Sequence, residues 1–197
     1  MTKHDYIEQQ KRACETEWFK HHEAVWIDKP TTGLIGNGAA IISWQASASW
    51  NYGCRFIIHR RWLCVVGDIG EATFEWGQDL TLEFLAGMDF GYFLSKCRAS
   101  EHGRKFEQWD SGVAYANIAG TQAIYHTHGI DELEGIDRNS CKDDYDRAAR
   151  ACYDRTGDAE SASSIASAGL VPSAHAIGMF VGLQMAIKRL KNPQVKV

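Results

Sequence analysis

Two histidines separated by one residue, His126 and His128, are the pair best spaced for metal chemistry. On a strand, side chains at i and i+2 share a face and could share one ion, as in a metal-dependent hydrolase. Zinc needs a third ligand. Asp131, Glu132, Cys141 and His175 are available, but their spacing does not force convergence. The same pair also suits a helix C-terminus closed by Gly129, with the imidazoles near the last carbonyls. No bound metal and no cofactor are expected.

Other constellations are weaker in chemistry. The run Gly67-Asp68-Ile69-Gly70 lacks both the GxGxxG and the GK[ST] phosphate fingerprints, so it reads as a hairpin turn with Asp68 as turn former. There is no GxSxG elbow and no SxxK. Cys97 lies near Lys96, Arg98 and His102, a setting that lowers a thiol pKa, but it also continues an apolar stripe from Phe93. An enzyme is therefore not expected.

Two binding patterns stand out. Arg55, His59, Arg60 and Arg61 lie beside Trp50, Tyr52, Phe56 and Trp62. Basic and aromatic residues on one strand face can hold single-stranded nucleic acid by phosphate pairing and base stacking. In that alternative Arg55, Arg60, Arg61 and Trp62 make the contact. The second pattern is acidic. Residues 131–160 hold ten carboxylates against five bases, and the chain after Glu160 holds only bases. An acidic helix face can engage a basic groove, and Asp143, Asp144, Asp146 and Asp154 are the residues expected to bind a partner. The plainer reading is a solvated helix face.

These residues need elements to position them. Tyr6, Ile7, Ala13, Cys14, Trp18, Val25 and Trp26 give a partial helical stripe, predicting a helix over 5–27 that Pro30 stops. Residues 30–54 carry no charge, and 41–49 alternate with period two. Further short strands are predicted over 55–59, 62–66 and 71–76, joined by tight turns, so that four strands lie within 40–76 as an antiparallel meander. The period then becomes helical. Helices are predicted within 80–191: a short one ending near Gly87, one from Phe90 towards Ser100, one over 109–125, one over 141–155 and one from Ser173. Residues 161–170 read as a loop or a short helix. On the 141–155 helix the apolar stripe is Tyr145, Ala148, Ala149, Cys152 and Tyr153. Strands followed by helices define an α+β fold, here read as a single domain over 1–197.

Composition fits that reading. The 197 residues are 45% hydrophobic and 23% charged, with seven tryptophans and a net charge of −4. This suits a folded domain with an ample core and no overall basic surplus for phosphate contacts. No 18-residue apolar run predicts a membrane span, and the charged N-terminus has no secretory apolar core. The six cysteines form no CxxC pair and are expected to be reduced thiols.

The segment 62–110 resembles small accessory proteins encoded by tailed bacteriophages. The matching residues are Gly67, Asp68, Gly70, Phe74, Trp76, Tyr92, Phe93, Lys96, Cys97 and Trp109, with a less specific likeness over 175–190. The resemblance carries no catalytic site. It implies a phage protein acting in the bacterial host cytoplasm. Small proteins of that kind often block host machinery, including CRISPR and other immune complexes, by occupying a binding surface. The expectation is a non-enzymatic, anti-CRISPR-type inhibitor that binds a host protein or ribonucleoprotein complex. Self-association as a homodimer is a further expectation. Nucleic-acid binding and metal-dependent hydrolysis by His126 and His128 are the alternatives.

Overall fold

The computed structural model describes residues 1–29, 39–47, 49–101, 106–127, 133 and 135–192, with the backbone alone over 120–127. The fold is α+β. The chain divides into two compact units, residues 9–106 with 173–197 and residues 1–8 with 107–172. Helix α1 (Lys3–Ala13) belongs to both, and a π-helical turn follows it over Cys14–Trp18.

The first unit is built on an antiparallel meander of six strands in sequence order: β1 (His22–Asp28), β2 (Ala40–Ala46), β3 (Ser49–His59), β4 (Trp62–Gly67), β5 (Ala72–Glu75) and β6 (Cys97–Ser100). The four strands expected within 40–76 are β2 to β5. Their inward residues, Ile42, Trp44, Phe56, Ile58, Leu63, Val65 and Phe74, are buried. Short helices α2 (Leu82–Ala86) and α3 (Phe90–Ser95) follow β5, capped by Thr81 and Asp89. Both contact the long helix α7 (Ala174–Lys191), which also packs on β1 and β2. Gly178 and Gly182 let α7 come close: a Cβ at Gly178 would stand 2.9 Å from the Trp18 ring, and one at Gly182 3.2 Å from Trp44 Nε1. Ten residues of α7 are buried, and Lys188, Arg189 and Lys191 fall in its last turn, as its dipole favours.

Several expectations are corrected here. The helix expected over 5–27 ends by Trp18, and residues 22–28 form the edge strand β1. Val25, Trp26 and Ile27 are β-branched or aromatic, and pairing with β2 satisfies a backbone that a helix would otherwise have to serve. The helix expected to run from Phe90 to Ser100 stops at Ser95, because β6 pairs with the free edge of β5. The stop assigned to Pro30 lies outside the described residues.

The second unit is mainly helical. A two-stranded antiparallel sheet joins β7 (Glu107–Trp109) to β8 (Leu170–Pro172). Between them run α4 (Ser111–Thr127), α5 (Lys142–Thr156) and α6 (Ala159–Ala166), so the segment 161–170 is largely helix followed by strand. The core is small-residue rich: Ala114, Ile118, Leu133, Tyr145, Ala148, Ala149, Cys152, Ile165 and Ala168. Trp109 meets the Tyr145 ring edge-on at 5.0 Å. Among the described residues no helix is long and apolar enough to cross a membrane.

Candidate functional site

Helix α5 is the best defined carrier of candidate site residues. Its start is fixed by a capping box: the Cys141 N–H donates to Asp144 Oδ2 at 2.8 Å. That bond holds the Asp144 carboxyl below the usual aspartate pKa, and Asp144 also faces Arg147 at 3.5 Å. Asp146 accepts from Lys142 Nζ one turn earlier, at 2.5 Å. Gly157 closes the helix with φ +70°, a conformation open to glycine, and Asp158 caps α6 by accepting from the Glu160 and Ser161 N–H groups. Two of the four aspartates expected to bind a partner, Asp144 and Asp146, are therefore engaged within α5. Asp143 and Asp154 are exposed. The helix as a whole carries four acids and four bases. Its face is a mosaic of charge, in contrast to the acidic surplus of the longer tract around it.

Tyr153 corrects the expected stripe. It is 51% exposed, whereas Tyr145, Ala148, Ala149 and Cys152 are buried. Eight residues at about 100° each leave Tyr153 some 80° from Tyr145, at the margin of the buried sector. There it borders a groove of about 530 Å³ between α5 and α6. Ala149, Ala162 and Ala166 also line it, with Asp146, Arg150 and Asp154. A smaller recess of about 300 Å³ shares Asp146 and Arg150 and adds Asp143 and Arg147. An aromatic flanked by small residues and opposed charges can hold a protein side chain or a short helix. It holds no nucleophile–base pair.

The outward face of the meander gathers the second set of candidate residues. Register places Arg55 opposite Val66 and Ser43, and Trp62 opposite His59 and Glu75. Arg60 and Arg61 form the β3–β4 turn, with Arg60 at φ +51°. The turn is held from behind: the Leu80 N–H donates to the Arg60 carbonyl at 2.8 Å and the Trp76 N–H to the Arg61 carbonyl at 3.0 Å. Glu75 accepts from Arg61 at 3.0 Å and from Arg98 at 3.1 Å. The Arg61 guanidinium lies 5.9 Å from the centre of a Trp62 ring, and that of Arg55 lies 5.6 Å from Trp50. Trp50 is 51% exposed.

Among the described residues the remaining candidates do not form a reactive centre. His126 lies in α4, on a helix, so the strand geometry behind a shared ion does not apply; its side chain and all of His128, Asp131 and Glu132 lie outside the described residues. Among the described residues no three His, Cys, Asp or Glu side chains converge as a metal site. All six cysteines are free thiols. Burial pushes the Cys97 pKa up, as the apolar stripe it continues from Phe93 implies and its basic neighbours do not. Asp68 serves the turn, as expected, and reaches further: its Oδ2 accepts from the Tyr52 N–H at 2.7 Å, where Tyr52 takes a left-handed φ of 57°. Tyr52 in turn stacks on Trp18 with centroids 4.5 Å apart.

No family model, curated protein or solved structure matches the chain.

Proposed function

We propose that the protein is a non-enzymatic binding protein of a tailed phage that acts in the bacterial cytoplasm. It occupies a surface of a host defence complex, a CRISPR–Cas effector being the instance in view. The observation that carries this reading is the α5–α6 groove, where exposed Tyr153 stands between Asp146, Arg150 and Asp154. A tyrosine with its ring exposed and charges around it has the makeup of an interface anchor with a polar rim. The exposed carboxylates of Asp143 and Asp154 supply the attraction for a basic surface, and the engaged pair Asp144 and Asp146 holds the helix that presents them. The phage context comes from the sequence resemblance over 62–110.

The test is protection of a targeted phage. Bacteria with an active CRISPR–Cas system directed at that phage are made to express the protein, and plating efficiency is measured. Plating is expected to rise by at least a hundredfold. The double variant Tyr153→Ala with Asp154→Lys is expected to lose that gain while melting near the wild type. Unchanged plating across the defence systems tried, with the protein expressed and folded, would overturn the reading.

A further inference from the structure

We infer that the outward face of the meander binds single-stranded nucleic acid along β3 and β4, independently of the α5–α6 contact. The sheet has helices on one face. On the other, Trp50, Arg55, Val66 and Arg98 are exposed and Ile57, Trp62 and Cys64 are half-buried. Charge on this face is segregated. Arg55, Arg60, Arg61 and Arg98 outnumber the carboxylates of Glu75 and Asp68, on a chain whose net charge is −4. The acids of β1, Glu23 and Asp28, lie at the opposite edge of the sheet. A phosphate chain is therefore drawn to β3–β6 and away from β1.

Two aromatic platforms stand on the same face. Trp62 lies at the turn, with Arg61 beside its ring. Trp50 lies against the strand at Gly53, where a Cβ would come within 2.6 Å of its ring, and Arg55 sits over it. From Gly53 to His59 is roughly 20 Å of strand, which suits a segment on the order of four nucleotides. Bases stack on indole rings while guanidinium groups meet phosphates, and this pairing needs no particular base sequence. Between the platforms Ile57, Cys64 and Val66 offer a 2′-hydroxyl no strong partner and Arg55 is placed for a phosphate, so DNA and RNA strands are held alike. A second copy of the chain fits less well, because Arg55 stands in the middle of the face.

Binding is measured by fluorescence anisotropy with labelled dT12, rU12 and a 12-base-pair duplex, using the full chain. Both single strands are expected to bind within a few-fold of each other, and the duplex more weakly. With two net charges engaged, affinity for a single strand should fall about sevenfold between 50 and 200 mM salt. Trp50→Ala is expected to weaken binding about tenfold or more. Arg55→Glu, at an exposed position, keeps the test valid if the tryptophan variant misfolds, and it is expected to lower both affinity and salt dependence. Asp154→Lys is expected to leave binding to these probes in place. The inference is overturned if neither single strand binds at 50 mM salt, if the duplex binds better, or if folded Trp50→Ala and Arg55→Glu proteins bind as the wild type does.

Discussion

His22 shows how one side chain ties the sheet to solution conditions. Its ring is 2% exposed and packs between Phe19 and Trp44, at centroid distances of 5.1 and 5.4 Å. Burial holds its pKa below the ordinary histidine value. The unfolded chain therefore takes up a proton at a pH where the native protein resists one. This favours unfolding as pH falls below about 6.5, and the native state keeps its full stability above that value. Denaturant midpoints measured between pH 7.5 and 5 are expected to fall, and His22→Phe should flatten that slope. Equal slopes would assign the pH response to other groups. Asp143 and Asp144 form a second contrast at this scale. They are neighbours in sequence, but only Asp144 closes the capping box. Asp144→Ala is expected to lower the melting temperature, and Asp143→Ala to leave it within experimental error. A charge-reversal test of the α5 face therefore belongs at Asp143 and Asp154, where lost binding is not confused with lost folding.

Among the elements, α7 packs closely at two glycines, Gly178 and Gly182. A valine at position 178 would force its β-carbon into the Trp18 ring, and overpacking of that kind costs about 1–3 kcal/mol. Gly178→Val is expected to lower stability by that amount in chemical denaturation, against a smaller loss for Gly178→Ala. No loss for either would mean that the Trp18 ring yields freely. The same elements show what sequence patterning can and cannot convey. Strands β4 and β5 are plain in the sequence because each alternates between a buried and an outward residue, and β2 and β3 because they hold short runs of β-branched and aromatic residues. Strand β1 is hidden because Val25 and Trp26 also extend a helical stripe, and only pairing with β2 decides between the two periods. Strand β6 is four residues long, with no alternation of its own, and exists because β5 offers an edge. Tyr153 fits the 3.6-residue period yet is exposed, because periodicity gives an angle and not the depth of the neighbouring layer. The small sheet of β7 and β8 joins segments some sixty residues apart, a pairing that local patterning does not carry. The candidate binding residues were legible by type. Their engagement was not: that Asp144 caps, that Asp146 meets Lys142 and that Glu75 serves two arginines depends on rotamers and register.

At the scale of the whole molecule the two compact units carry different binding chemistry. The helical unit offers an aromatic groove with mixed charge, suited to a protein surface. The meander offers an open face where arginines accompany exposed tryptophan, suited to a charged polymer. The net charge of −4 hides this division, since it sums an acidic tract over 131–160 with the basic face of the sheet. Each unit has a core that a single substitution can probe. Tyr145→Ala in the helical unit and Phe56→Ala in the meander each remove a fully buried ring, and each is expected to cost about 3–5 kcal/mol. Hydrogen exchange on each folded variant would show whether protection is lost first in the unit that carries the change.

The proposal of a surface-occupying inhibitor is tested most directly by mixing the purified protein with the purified effector complex of the system it protects against. Size exclusion with light scattering, run after nuclease treatment, then reads the mass of what co-elutes. The expected result is a stoichiometric complex that survives nuclease and is lost with the Tyr153→Ala, Asp154→Lys variant. Separate elution of wild-type protein and effector at micromolar concentrations, or a complex that the variant forms equally well, would contradict it.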